Sequence, residues 1–235
     1  HDLNIQLKNS QNLIVTDSNF TNAAVNFGET NENIVTYFSS NDKIITILPG
    51  FISKSENGEI TTLGRGGSDY TAAIIAAAMN ASVLQIWTDV SGMFTTNPKV
   101  VRNAKPIKKL SYLEAIELSH FGAKVLYPPT VLPVLSKHIP LLIKNTLAPQ
   151  DEGTLITNIV ENRNPNPIKG ISNINNVALL TLQGNGMVGI PGFSKRLFET
   201  LAREKINVTI ATQASSEHSI CIGIADKEAP LAKYV

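Results

Sequence analysis

The order of apolar and polar positions marks out the elements. Ile44-Ile45-Thr46-Ile47-Leu48 is an almost unbroken β-branched run closed by Pro49-Gly50, the pattern of a strand buried on both faces that feeds a loop. Phe51–Lys54 and Glu59–Leu63 flank Asn57-Gly58, a two-residue hairpin signal. A helix follows over Asp69–Asn80, apolar nearly all round and therefore buried. Ser82–Trp87 reads as the next buried strand, ending at Thr88-Asp89-Val90-Ser91-Gly92. Strand, helix, strand at this spacing implies a right-handed crossover and a parallel sheet. Ser111-Tyr112-Leu113-Glu114 is a capping box that opens a helix to about His120. Thr130–Lys137 continues as a short helix, with strands at Pro140–Lys144 and Gly153–Thr157. Residues 1–42 are rich in Asn, Ser and Thr, with one short apolar run at Leu13–Val15 and a short helix expected at Asn31–Ser39.

The pattern then stops and restarts. Glu161–Pro167 carries two prolines and no apolar residue, the composition of a linker. Beyond it, Asn176–Gln183, a helix capped by Ser194, Asn207–Thr212 and Ser219–Ala225 form a βαββ unit. Leu197, Phe198, Leu201 and Ala202 make the helix stripe, and Phe193 with Phe198 is spaced as a staple across its start. So small a unit with an open sheet edge predicts pairing with another copy. The expected division is 1–158, a linker at 159–170, and 171–235. The fold class is α/β, an open, mostly parallel sheet with helices on both faces, followed by a small α+β domain.

With 235 residues, 43% hydrophobic and 17% charged, the chain is globular, and its net charge of +1 offers no nucleic-acid surface. No apolar run approaches a membrane span, and no signal-like segment follows His1. The single cysteine, Cys221, precludes an internal disulfide, which fits a reducing cytoplasm. The four histidines show no metal-ligand spacing. A start at His1, without Met, and an end at Val235 inside an expected helix read as the limits of a fragment.

The chemistry concentrates in Thr61–Tyr70, where Gly64, Gly66 and Gly67 let the backbone curl ahead of a helix whose first turn Ser68 or Asp69 can cap. Free N–H groups and a positive helix end at one point suit a phosphate or carboxylate, and Arg65 adds a planar fork for either. An ordinary strand-to-helix turn with a surface arginine fits the same bare pattern. Lys124, in the turn after Gly122, reads on its own as a solvated charge.

Taken together, Thr62–Ala72, Trp87–Gly92 and Phe121-Gly122-Ala123-Lys124-Val125-Leu126-Tyr127-Pro128 resemble the aspartokinase family of amino-acid kinases. The stretch after the linker resembles that family's first ACT regulatory domain, of ferredoxin-like type. Its Thr-Gln-Ala-Ser-Ser-Glu-His-Ser wording (residues 212–219) is most similar to the bifunctional aspartokinase/homoserine dehydrogenases, although no dinucleotide fingerprint is present. The resemblance implies transfer of the ATP γ-phosphoryl group to the side-chain carboxylate of L-aspartate, with Mg²⁺, feedback control by threonine or lysine, and assembly as a dimer or higher oligomer. Such a nucleophile is already ionised at neutral pH, so catalysis rests on screening and alignment rather than on a strong base.

By similarity, Arg65 grips the substrate α-carboxylate with Gly66, Gly67, Ser68 and Asp69 beside it. Thr88, Asp89, Phe94, Lys99, Lys124 and Val125 serve the nucleotide, with Arg65 and Lys124 as the catalytic cations. Met187, Gly189, Asn207 and Gln213 face an effector, Gln213 foremost. Two departures count. Asn97-Pro98-Lys99 stands where the family commonly has Asp-Pro-Arg, and the family's Lys-Phe-Gly-Gly-Thr-Ser phosphate loop is absent, Asn26-Phe27-Gly28-Glu29-Thr30 being a chance echo. The polypeptide alone is therefore expected to have little kinase activity. The alternative is a non-catalytic, amino-acid-sensing regulatory fragment; a kinase for another small acidic substrate such as glutamate fits less well.

Overall fold

The computed structural model describes residues 3–41, 45–120, 125–158, 168–184, 190–213 and 219–235. The chain forms two compact units, His1–Asn173 and Ile174–Val235.

In the first unit, β1 (Ile5–Leu7) pairs parallel with β3 (Ile45–Ile47), and β2 (Val15–Thr16) with β4 (Ile52–Ser55). The hairpin around Asn57-Gly58 forms as the sequence predicts, β4 running antiparallel to β5 (Ile60–Thr62). Helix α1 (Phe27–Ser39) starts earlier than expected because Asn26 caps it, its side chain accepting from the Glu29 N–H at 3.3 Å. The Asn26–Thr30 echo is thus a helix start.

The central sheet has the order β6 (Leu84–Thr88), β8 (Leu141–Asn145), β9 (Thr154–Thr157), β7 (Lys109–Ser111). β6 with β8 and β7 with β9 are parallel, while β8 with β9 is antiparallel, so the sheet is mixed. Helices α2 (Gly67–Ala78), α3 (Tyr112–His120) and α4 (Pro128–Ser136) share its core. Ala73 and Ala76 of α2 are small enough to let Val131 and Val134 of α4 and Leu84, Ile86, Leu141, Ile143 and Ile156 of the sheet close into one cluster. The capping box of α3 is complete: Glu114 accepts from the Ser111 N–H at 2.8 Å, and the Glu114 N–H donates to Ser111 Oγ at 3.2 Å.

One expectation fails. β3 has the composition of a doubly buried strand, yet Ile45 and Ile47 are 50% and 53% exposed, and the partners in register on β1, Ile5 and Leu7, are 52% and 74% exposed. Among the described residues, nothing covers this side of the two-stranded sheet.

In the second unit, β10 (Val177–Gln183) and β11 (Val208–Gln213) flank β12 (Ser219–Ala225), both antiparallel to it, with α5 (Phe193–Arg203) between β10 and β11 in sequence and α6 (Ala229–Tyr234) at the end. Two details depart from the sequence reading. Gly192, at φ 83°, is the N-cap of α5 rather than Ser194. Phe193 is then inside the first turn and forms the buried row with Leu197 and Leu201, four residues apart, while Phe198 is exposed, so there is no staple.

Candidate functional site

The glycine loop leaves β5 and turns into α2 without any side-chain cap. The N-cap is Gly66 at φ 72°, so neither Ser68 nor Asp69 caps; both lie inside the first turn. Glycine is needed here for space as well as conformation. A Cβ on Gly66 would come within 2.6 Å of Tyr127, and one on Gly67 within 2.7 Å of the Phe51 ring. The preceding loop closes in from the other side, Gly50 lying so near Ser68 that a Cβ would be 2.7 Å from its Cα. The Phe51 N–H donates to Thr71 Oγ1 at 3.1 Å, and Thr71 donates in turn to the Gly67 carbonyl at 2.8 Å. Four chain segments therefore fix the curl: 49–51, 64–68, Thr71 and Tyr127.

Three side chains in this curl are chemically distinct. Arg65 is exposed, and it has no ion-pair partner among the described residues. Ser68 is exposed beside it, and Asp69 is half-buried in the first helical turn. Burial pushes the Asp69 carboxyl above its ordinary range, and no hydrogen bond or cation among the described residues opposes this. Burial first, and then the neighbouring Tyr127, push the Tyr70 hydroxyl up as well. An unpaired guanidinium and an under-solvated carboxylate thus stand four positions apart in the chain.

The second cluster lies at the end of β6. The Thr88 hydroxyl donates to Asp89 Oδ1 at 3.2 Å, and the Thr88 carbonyl accepts from the Thr146 N–H at 2.8 Å. Sequence reasoning missed what holds this end in place. Asn145 Nδ2 donates to Ser91 Oγ at 2.9 Å, Ser91 donates to Asp151 Oδ2 at 2.5 Å, and Lys144 Nζ donates to the Asp151 carbonyl. Lys144 also stands 5.7 Å from the Trp87 ring centroid, within cation–π range. The signal was available: Asn145 ends a strand parallel to β6, and ligand loops gather at such ends.

From Met93 onward the chain makes an excursion that returns at Ile107. Phe94 bridges to Pro106, the Thr95 N–H donates to the Lys105 carbonyl at 2.8 Å, and the Ile107 N–H to the Met93 carbonyl at 2.7 Å. Lys99 sits at its tip, exposed, its N–H capped by Asn97 Oδ1 at 3.0 Å. Val125 is half-buried against the central core.

Lys124 lies outside the described residues, as do Met187 and Gly189. In the second unit, Gln213 ends β11, and its Oε1 accepts from Ser194 of α5 at 3.4 Å. Asn207 precedes the other end of the same strand, roughly 20 Å away at about 3.3 Å per residue. Within a single copy, one amino acid does not span both. Gln213, beside the start of α5, is the better placed of the two.

Comparison with known proteins places these features in context. Residues 5–145 match the amino acid kinase family and residues 180–235 an ACT domain. The bifunctional aspartokinase/homoserine dehydrogenase of Haemophilus influenzae is 39% identical over 222 residues, 94% of this chain and 27% of that protein. The lysine-sensitive aspartokinase 3 of Escherichia coli is 43% identical over 178 residues, 76% of this chain and 39% of that protein. The crystal structure of E. coli aspartokinase III in complex with aspartate and ADP is similar at a TM-score of 0.78 and 35% identity, over 95% of this chain and 49% of that one. The same enzyme with lysine and aspartate, described as its T-state, gives 0.75 at 35% identity, over 94% and 49%. The chain thus spans about a quarter of the length of the bifunctional relative and about half of the aspartokinase III chain.

Proposed function

This chain belongs to the amino acid kinase family, and from that premise we propose that it is the nucleotide-side part of an aspartate kinase with its first ACT domain attached. The observation that carries the reading is the likeness to aspartokinase III with aspartate and ADP, over 95% of the chain at 35% identity. The reaction joins the γ-phosphoryl group of ATP to the aspartate side-chain carboxylate. Arg65 holds the α-carboxylate through its fork, and Asp69 receives the α-ammonium, which supplies the positive charge its burial lacks. Gly66 and Gly67 bring backbone close, and Ser68 is in reach beside them. Thr88, Asp89, Phe94, Lys99 and Val125 take the nucleotide side, with Lys124 as the second cation.

Mg²⁺ fits this arrangement as an ion carried chiefly by phosphates. The exposed Asp89 is one carboxylate at the strand end, and magnesium sites of this type use one or two. When bound, the ion would neutralise phosphate charge, and the Thr88 hydroxyl, 3.2 Å from Asp89 Oδ1, would steady that carboxylate. For the ACT domain, the reading is an amino-acid effector, threonine or lysine, held near Gln213 and Ser194, with pairing between ACT domains.

The test uses the full-length protein: aspartyl phosphate trapped with hydroxylamine, with threonine and lysine titrated separately. Aspartate-dependent, ATP-dependent hydroxamate supports the reading. Binding of an amino-acid effector with neither ATP·Mg²⁺ nor aspartate bound would leave the regulatory-fragment alternative. The 235 residues alone are expected to have little activity, because the family's phosphate-loop lysine is not among them.

A further inference from the structure

We propose that Lys169 is a positioning residue: paired with Glu114, it holds the short strap Lys169–Ile171 against Thr95 and so sets the placement of the excursion that carries Phe94 and Lys99. The inference rests on the reading of those two residues as nucleotide-side groups.

The strap starts in the expected linker (159–170) and ends one residue beyond it, and it is held in turn by an ion pair, a close contact and a hydrogen bond. Lys169 Nζ is 2.6 Å from Glu114 Oε1, with side chains only 19% and 32% exposed, unlike a loose surface pair. The other carboxylate oxygen of Glu114 accepts the Ser111 N–H at 2.8 Å, so the cap of α3 fixes the rotamer that Lys169 meets. Next, Gly170 packs so closely that a Cβ would stand 2.9 Å from the Leu118 side chain and 3.2 Å from the Thr95 carbonyl oxygen. The Ile171 N–H then donates to that same carbonyl at 2.7 Å. Thr95 is also tied to the returning arm of the excursion, its hydroxyl accepting from the Lys105 N–H at 3.1 Å.

Thr95 is therefore a junction with the strap on one bond and the excursion on the others. Phe94 is its chain neighbour, and Lys99 lies four positions on. In the opposite direction, Ile174 opens the second unit three residues after Ile171.

The experiment compares Lys169→Met, which keeps the aliphatic stem, Lys169→Arg and Glu114→Gln in the full-length protein. Calorimetry with Mg·ADP, steady-state kcat and KM for both substrates, and the thermal midpoint are measured on each. Lys169→Met and Glu114→Gln should weaken ADP about fivefold or more and raise the KM for ATP in step, leaving kcat and the KM for aspartate within about twofold. Lys169→Arg, which keeps the cation, should keep affinity near that of the wild type. Unchanged ADP affinity in Lys169→Met overturns the proposal. So does a uniform loss of kcat and both KM values that merely follows a lowered thermal midpoint. ADP calorimetry does not depend on the acceptor, so a protein that binds ADP with this Lys169 dependence but fails to phosphorylate aspartate would sink the substrate assignment and leave the strap standing.

Discussion

The Tyr127 side chain occupies the space that any side chain on Gly66 would need: a Cβ built on Gly66 would lie 2.6 Å from Tyr127 Cβ and 2.8 Å from its ring. Gly66 adjoins Arg65, and Tyr127 lies three positions after Lys124, so the contact brings the glycine curl and the start of α4 together. Gly66→Ala should cost about 2–4 kcal/mol, from about 1–2 for a left-handed alanine and the rest from displacing Tyr127. Urea denaturation measures it. Adding Tyr127→Ala should recover the steric part and leave the conformational part, a coupling that a double-mutant cycle reads directly. A loss below about 1 kcal/mol would contradict the geometry.

Asp69 should behave as a destabilised group kept for binding. Its folded pKa is raised by burial, so in the window above its unfolded pKa the folded state holds more protons than the unfolded one. Stability then falls as pH rises through that window and stays lower at neutrality. Asp69→Asn should accordingly raise the denaturation midpoint at neutral pH while weakening aspartate binding, a stability–function exchange. A variant that is less stable at pH 7 would show that Asp69 has a compensating partner.

Arg65 is exposed and unpaired among the described residues, so replacing it should leave stability within about 0.5 kcal/mol. Aspartate binding should instead fall by about 2–5 kcal/mol in Arg65→Ala if substrate binding desolvates the pair. Arg65→Lys should recover only part, because the fork is lost. Calorimetry with aspartate decides, and an unchanged affinity removes Arg65 from the site.

Glu114 should make stability sensitive to acid. Burial alone would raise its carboxyl, but hydrogen bonds from Lys169 and Ser111 outweigh it and hold the group below the ordinary value of 4.5. The stabilisation is present above the unfolded pKa and is lost as pH falls through the lower folded one. The midpoint difference between wild type and Glu114→Gln should be largest near neutrality and shrink in acid. A difference constant with pH would mean that Glu114 stabilises the fold without its charge.

Local signals were the readable part of this sequence. Asn57-Gly58, the Ser111–Glu114 box and the alanine-rich α2 each depend on a few adjacent residues, and each appears as expected. Helix starts went wrong where a glycine with positive φ replaced a capping side chain, at Gly66 and Gly192. That choice depends on what crowds the turn, which the sequence does not display. The Ser91–Asn145–Asp151 network and the Lys169–Glu114 pair join residues more than fifty positions apart, so no local pattern announces them. β3 misled for a related reason: its composition reports the burial the strand is suited to, whatever surrounds it in these 235 residues.

The bare side of β1 and β3 has a practical consequence for handling the protein. Ile5, Leu7, Ile45 and Ile47 form an exposed aliphatic row on a two-stranded ribbon. Concentrated solutions of the 235-residue polypeptide should scatter light and bind hydrophobic dyes, and a pair of lysines placed at Ile5 and Ile47 should clear them without unfolding the domain.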